Sequence, residues 1–300
     1  MIYFRYDKTF EGLLSAVFTA YSLKCFPDKL LSCGEEAPAF AEQLSLFSSG
    51  GSYPGTGNGC VPEPEAATPL PGNHLSGHIA VSEDTYITVS TSQQEANRVW
   101  NGLKKHLSPS AMQSISMVWL SELPQTDELI FRYICKAFNY KPVAGGNMPG
   151  DSIELNFADP DVLQMAKIWK KVSNERLRVI QFTRFQKAAD GTYFALTEPQ
   201  HNVLSLTLNY FTDRFHDQEW ILYDLRRKYG YYYNKKSVQE VAFKEVPELL
   251  PDTLTADGEE LYSRLWKTYF KAVCIKERIN PKLHRQNLPA RFWKHLTEKR

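Results

Sequence analysis

The sequence lacks the patterns that would assign it to several common functional classes. No segment approaches the roughly 18 consecutive apolar residues of a membrane-spanning helix, so no membrane contact is expected. Neither a GxxxxGK[ST] loop nor a Rossmann glycine pattern occurs, which argues against a nucleotide cofactor. The amino-terminal MIYFRYDKTF has no long apolar stretch of the secretory type. We therefore expect a cytoplasmic protein.

Cysteines are few and scattered. The five lie at positions 25, 33, 60, 135 and 274, with no close CxxC pair. This spacing predicts free thiols and argues against a disulfide framework or a structural zinc site. It also excludes the closely spaced cysteine triplet with which radical-SAM enzymes hold an iron–sulfur cluster. We expect neither a metal nor another cofactor.

The overall charge is almost balanced, with 35 Lys and Arg against 34 Asp and Glu, so any polyanion signal must be local. Such a signal lies in residues 264–300, where eleven Lys and Arg face two Glu, an excess of nine positive charges. Aromatic residues are interleaved: Trp266, Tyr269, Phe270, Phe292 and Trp293. The pattern predicts phosphate contact through Arg285, Arg291 and Lys294. The alternative is a helix that buries its aromatics and solvates its lysines.

The central stretch 178–234 reads as a β-β-α-β-β unit. Its predicted elements are strands at 180–186, 192–196, 220–224 and 229–233, with a helix at 203–215. Asp190-Gly191 predicts the first tight turn. We therefore expect an antiparallel sheet covered by one helix.

The last strand of this unit combines aromatic and cationic side chains. Three tyrosines share one face and three cations form the preceding turn: Tyr229, Tyr231, Tyr233, Arg226, Arg227 and Lys228. This arrangement suits stacking of unpaired bases while the cations hold phosphate. The alternative is that the tyrosines pack against the fold and the turn is simply solvated.

The same unit is rich in polar side chains that could line a catalytic pocket. The candidates are Arg184, Asn202, Asp217 and Asp224. If they form an active site, they should approach one another around a cavity. The alternative is that Arg–Asp pairs hold an α+β fold together without taking part in chemistry.

The wider pattern predicts an α+β protein. Residues 1–47 and 78–246 form the core, in which the sheet packs against a layer of helices predicted at 92–106, 111–123, 126–140 and 159–178. Residues 48–77 are a flexible insertion rich in Gly, Ser and Pro. Residues 247–300 form a basic, helical carboxy-terminal segment.

A short peptide precedes the insertion: Gln43, Leu44, Ser45, Leu46 and Phe47. The sequence QLSLF resembles the peptide with which bacterial replication and repair proteins dock on the DNA sliding clamp. An extended peptide beside a flexible tether can insert a Leu-Phe pair into an apolar pocket. The alternative is that Leu46 and Phe47 pack on the protein's own core.

Four blocks carry a family resemblance: YDKTFEGLLSAVFTAY at 6–21, RFQKAADGTYFALTEPQHNVL at 184–204, DRFHDQEWILYDLRRKYGYYY at 213–233 and LWKTYFKAVCIKERINPKLHRQNLPARFWKHL at 265–296. Together they resemble a bacterial family assigned to DNA repair or DNA metabolism, whose shared domain has no known function. The family is typically encoded beside a radical-SAM protein, and the domain also occurs fused to uracil-DNA-glycosylase-like domains. The insertion at 48–77 is longer than the family needs, and Lys8 stands where glycine is usual. No catalytic residues can be transferred from the family.

Three functions follow as hypotheses. The leading one, which the resemblance implies, is a DNA-binding accessory of a radical-SAM partner, acting on single-stranded or damaged DNA. The second is an enzyme that acts on DNA, and the third is a protein-binding adaptor. Convergent polar groups in a pocket would favour the enzyme, an open basic groove the DNA binder, and a flat apolar patch the adaptor.

Overall fold

The computed structural model describes residues 1–34, 84–140, 152–242 and 259–299. They fall into two compact units, Met1–Gly102 and Leu103–Arg300. The clamp-type peptide Gln43–Phe47 and the insertion 48–77 lie outside the described residues. Both therefore stay predictions. No helix among the described residues is long and apolar enough to cross a membrane.

The first unit is built on a parallel sheet. Its strands are β1 (Ile2–Tyr6), β2 (Lys29–Ser32) and β3 (Thr85–Thr88), with β1 in the centre. Its helices are α1 (Phe10–Leu23) and α2 (Gln93–Leu103). Helix α1 connects β1 to β2, as a parallel pair requires. The expectation of an antiparallel sheet is therefore wrong for this part of the chain.

The second unit contains the predicted helical layer: α3 (Pro109–Trp119), α4 (Thr126–Asn139) and α5 (Pro160–Phe182). Asp159 caps α5 by accepting hydrogen bonds from the backbone N–H groups of Asp161 and Val162, at 2.8 and 3.3 Å. The start predicted from Asp159-Pro160 is thus confirmed. Side chains of all three helices contribute to the buried core, among them Ile115, Ile130 and Ile168.

The sheet of the second unit has the strand order β4-β5-β6-β7-β8. The strands are β4 (Gln186–Lys187), β5 (Tyr193–Thr197), β6 (Trp220–Asp224), β7 (Tyr229–Tyr233) and β8 (Val238–Val241). All neighbours are antiparallel except β5 and β6, which are parallel. A 3-10 turn at Ser205–Thr207 and helix α6 (Leu208–Arg214) connect those two strands. This helical crossover makes the sheet mixed, so its predicted antiparallel arrangement is only partly right.

The strand predicted at 180–186 is wrong over most of its length. Helix α5 continues to Phe182, and the Thr183 N–H still donates to the Val179 carbonyl at 3.0 Å. Buried Val172, Glu175 and Val179 keep the helical spacing to this point. This burial on one helix face outweighs the local alternation that suggested a strand. Only Gln186 and Lys187 pair with β5.

The described part of the carboxy-terminal segment, residues 259–299, is helical, as predicted. It comprises α7 (Glu259–Ala272), α8 (Pro281–Asn287) and 3-10 turns at Lys276–Arg278, Ala290–His295 and Thr297–Lys299. Asn280 caps α8 by accepting a hydrogen bond from the Leu283 N–H at 3.0 Å. Phe292 and Leu296 are buried and anchor the end of the segment to the unit.

Candidate nucleic-acid interface

Ion pairs hold the carboxy-terminal segment to the rest of its unit. Arg291 pairs with the buried carboxylate of Glu175, which also accepts the backbone N–H of Gln200 at 2.7 Å. Lys294 pairs with Glu198 at 2.5 Å. Two of the three cations of this segment that were predicted to bind phosphate are thus already neutralised by carboxylates of the same chain. Their contacts make Arg291 and Lys294 anchors of the segment.

In a third ion pair the segment supplies the carboxylate, and the cation lies outside the segment. Arg184 Nη2 lies 3.1 Å from Glu298 Oε1, and the Trp266 indole N–H donates to Glu298 Oε2 at 2.9 Å. Burial raises the pKa of Glu298, but hydrogen bonds from a backbone N–H and Trp266, together with the charge of Arg184, leave it below its ordinary 4.5. Glu298 thus fixes α7 through its charged form.

Replacing Glu298 with Gln should lower the free energy of unfolding by about 1–2 kcal/mol at pH 7, because Gln keeps the indole hydrogen bond but loses the ion pair. The pKa of Glu298 is lower in the folded protein than in the unfolded chain, so its charged form stabilises the fold above about pH 4.5. This stabilisation is lost as the pH falls through the folded-state pKa. Denaturant titrations from pH 7 to pH 3 should therefore show the difference between wild type and variant shrinking. A constant difference would contradict this role of the charge.

An open groove of about 790 Å³ lies between α7, α8 and the final 3-10 turns. We call it the C-terminal groove. Its apolar lining includes Phe182, Phe270, Ile279, Leu283, Leu288 and Trp293. Its cationic lining consists of Arg278, Arg285 and Lys299. The groove therefore combines an apolar floor with positive charge at its edge.

Two cations that line the groove, and several near it in sequence, are exposed and have no carboxylate partner in the described residues. Arg278, Lys282 and Arg285 form no ion pair with any carboxylate in the described part of the chain. The same holds for Arg264 and Lys271 on the exposed surface of α7. Of the three cations of the carboxy-terminal segment that were predicted to bind phosphate, only Arg285 belongs to this set. An exposed guanidinium without a partner can hold a phosphate in a bidentate manner.

The floor of the groove is held in a fixed orientation. The Trp293 indole N–H donates to the Leu288 carbonyl at 3.1 Å, and the His284 ring meets Trp293 edge-on at 5.9 Å. The Lys299 ammonium lies 5.4 Å from the Trp293 ring centroid and 5.6 Å from that of Phe270. Burial, with the nearby Lys299 charge, lowers the pKa of His284 below its ordinary 6.5, so its imidazole is neutral at pH 7.

A stripe of large side chains on α7 stays exposed. Tyr262, Leu265, Trp266 and Tyr269 share one helix face, at the spacing of a core-facing stripe. Tyr262 is nevertheless 69% exposed and Tyr269 57%. The alternative in which the aromatics of this helix turn into the core is thus wrong for α7.

The tyrosines of β7 are less exposed than the stacking of bases on their rings would require. Tyr233 is buried against Trp220, with ring centroids 5.4 Å apart. Tyr229 donates its hydroxyl to Asn202 and meets Tyr231 edge-on at 5.7 Å. Burial raises the pKa of both Tyr229 and Tyr231. Tyr233 cannot offer a ring face to a base, and the other two are half-buried.

The basic turn before that strand divides into one structural and two exposed cations. Arg227 pairs with Asp224 at 2.9 Å and Glu122 at 2.5 Å, and donates to the Pro199 carbonyl at 3.1 Å. Arg226 and Lys228 are exposed. Arg227 is therefore held by two carboxylates and a carbonyl of its own chain and is not placed to bind phosphate.

The four candidate catalytic residues do not form one pocket. Asp224 is buried at the carboxyl end of β6 and lies opposite Tyr229, whose hydroxyl donates to Asn202. Asp217 is exposed and precedes the other end of β6, so the strand separates the two aspartates by roughly 15 Å. Arg184 is engaged by Glu298. The structure therefore does not bring these four residues together at one site, and Asp224 and Arg184 each form an ion pair, with Arg227 and Glu298 respectively.

The sequence did not single out Arg278, Lys282 or Glu298, although the first two lie in the basic stretch. The sequence feature that points to Arg278 and Lys282 is the local excess of positive charge, which does not distinguish cations in ion pairs from cations without a partner. Among the described residues, no group of three His, Cys, Asp or Glu side chains is placed to hold a metal ion.

Comparison with known proteins adds one match. A family model described as a domain of unknown function, DUF4130, matches residues 124–298. The matched region runs from α4 through the whole second sheet to the C-terminal groove. Neither a curated protein nor a solved structure matches the chain. Because the match covers more than half of its 300 residues, the chain belongs to the DUF4130 family of domains of unknown function.

Proposed function

We propose that this protein binds DNA through the C-terminal groove, as an accessory of an enzyme that acts on DNA. The observation that carries the proposal is that Arg278 and Arg285 line an apolar groove, are exposed and have no carboxylate partner in the described residues. In a nearly neutral protein, such a local excess attracts a polyanion. The sequence resemblance supports a radical-SAM protein as the partner enzyme.

The double variant R278A/R285A tests the proposal. Binding of wild type to a fluorescent oligonucleotide should weaken steeply with salt, because bound phosphates release counterions. The variant should bind roughly tenfold or more weakly at low salt, since hydrogen bonds to charged groups are strong. Its slope of log K against log salt should fall by about 0.7–0.9 for each phosphate that the protein no longer neutralises. Fluorescence anisotropy at four or more salt concentrations measures both quantities.

A matched control is K167A/K170A. Both lysines are exposed on α5, form no ion pair among the described residues and do not line the groove. This variant removes the same charge and should leave the slope almost unchanged. If the two double variants bind DNA equally weakly, only the net charge of the protein matters. If the wild-type protein does not bind the oligonucleotide, the proposal is wrong.

A second candidate function, a protein-binding adaptor, is favoured by the exposed α7 stripe. Tyr262, Leu265, Trp266 and Tyr269 offer an apolar helix face of the kind that partners cover. Partner association through this stripe should persist in R278A/R285A, whereas DNA binding through the groove should not.

A further inference from the structure

The C-terminal groove exposes more apolar surface than phosphate binding would use. Val273, Ile279 and Leu283 line it and are each more than half exposed. Phe270 and Trp293 add aromatic surface to the same lining. Phosphate and sugar would leave these side chains in contact with water. The ligand that fits must bring its own flat, apolar faces together with negative charge.

Unpaired bases have this combination. In duplex DNA the base faces are stacked inside the helix, and the protein meets only phosphates and groove edges. A single strand can turn its bases onto an aromatic or apolar floor, a contact that tolerates any sequence because every base has a π face. We infer that the C-terminal groove receives unpaired bases and so selects single-stranded DNA over duplex. This inference rests on the proposed DNA binding and names its substrate class.

The position of Lys299 supports base stacking at Trp293. Its ammonium lies within 5.6 Å of the ring centroids of both Phe270 and Trp293, where it interacts with the electron-rich faces. A base stacked on Trp293 would displace this ammonium, which would remain beside the groove to pair with the phosphate of the same nucleotide. Trp293 itself does not need to reorient, because its indole N–H is held by the Leu288 carbonyl.

An apolar peptide is the main competing occupant, since it could cover the same floor. It would leave Arg278, Lys282 and Arg285 without partners. Charge complementarity around the groove therefore favours a polyanion with apolar faces. Single-stranded DNA meets both requirements.

Four oligonucleotides of equal length test the inference with the full chain: a single-stranded DNA, the same strand built from abasic nucleotides, the corresponding duplex and the corresponding RNA. Affinity for the intact DNA strand should exceed that for the abasic strand and for the duplex, each by on the order of tenfold. Equal, salt-dependent affinity for intact and abasic strands would overturn base stacking while leaving DNA binding in place. No binding to any oligonucleotide would remove both, and tighter binding to RNA would overturn the assignment to DNA.

Variants of Trp293 locate the stacking contact. Trp293→Phe keeps an aromatic face and should keep the preference for the intact strand over the abasic one. Trp293→Ala should abolish that preference but retain salt-dependent affinity for the abasic strand. The control Trp169→Ala, at an exposed tryptophan of α5 outside the groove, should change neither value. If W293A does not fold, the comparison of intact and abasic strands with wild type still decides. An unchanged preference in a folded W293A would overturn the assignment to Trp293.

Discussion

Replacing Asp224 with alanine is expected to lower the free energy of unfolding of the second unit by roughly 3–5 kcal/mol. Asp224 is fully buried, and its carboxylate accepts the backbone N–H groups of Arg226 and Arg227 at 2.8 and 3.1 Å. It also pairs with the Arg227 guanidinium, whose side chain is only 11% exposed. The variant leaves two backbone donors without their acceptor and removes the buried one of the two carboxylates that pair with Arg227. Urea or guanidinium titration measures the loss of stability.

Glu122→Ala is the matched control because it removes the other partner of the same guanidinium. Glu122 lies 2.5 Å from Arg227, but its side chain is 45% exposed. Water can replace this partner, so the expected loss of stability is within about 1 kcal/mol. Similar losses for D224A and E122A would show that burial of Asp224 is not the source of the stabilisation.

The second large effect is expected for Gly230→Ala in β7. Gly230 lies opposite Tyr223 of β6. A Cβ at this position would lie 2.4 Å from the Leu222 carbonyl oxygen and 2.8 Å from the Tyr223 Cα. Both are backbone atoms of the neighbouring strand, which cannot shift without disturbing the pairing of β6 with β7. The loss of stability should be about 3 kcal/mol or more, at the upper end for overpacking. Thermal and denaturant unfolding both measure it.

Gly191→Ala separates steric overlap from backbone strain. Gly191 has φ +91° in the turn before β5, and a Cβ there would meet nothing within 4 Å. The expected loss of stability is therefore the conformational strain alone, about 1–2 kcal/mol. If G230A lowers the free energy of unfolding by no more than G191A does, the close approach of the two strands is not what favours glycine at position 230.

Strong local signals allowed several elements to be predicted from the sequence. Strands 220–224 and 229–233 have the predicted bounds, and the Asp190-Gly191 turn joins β4 to β5. Both strands consist mainly of aromatic and aliphatic residues, and Asp190-Gly191 is a favoured tight-turn pair, so local preference and final structure agree. The prediction of a strand over 180–186 was wrong because it relied on a local alternation of apolar and polar residues. Burial of Val179 together with Val172 on α5 is a tertiary property.

The polar candidates show the same limit more sharply. Arg184, Asp217 and Asp224 were grouped because they lie in one stretch of sequence. The structure places the two aspartates at opposite ends of β6 and pairs Arg184 with Glu298. Asn202 is linked to this strand pair indirectly, because it accepts the hydroxyl of Tyr229, the residue that lies opposite Asp224.

The sequence by itself determined the composition of this surface, an excess of positive charge interleaved with aromatic residues near the carboxyl end. Only the tertiary structure decided which charges are free. Arg291 and Lys294 find Glu175 and Glu198 at separations of 116 and 96 residues, whereas Arg278 and Arg285 meet no carboxylate among the described residues. Ion pairs form over a few ångströms in space and follow no sequence period, so the fold must bring the partners together before either kind of cation can be recognised.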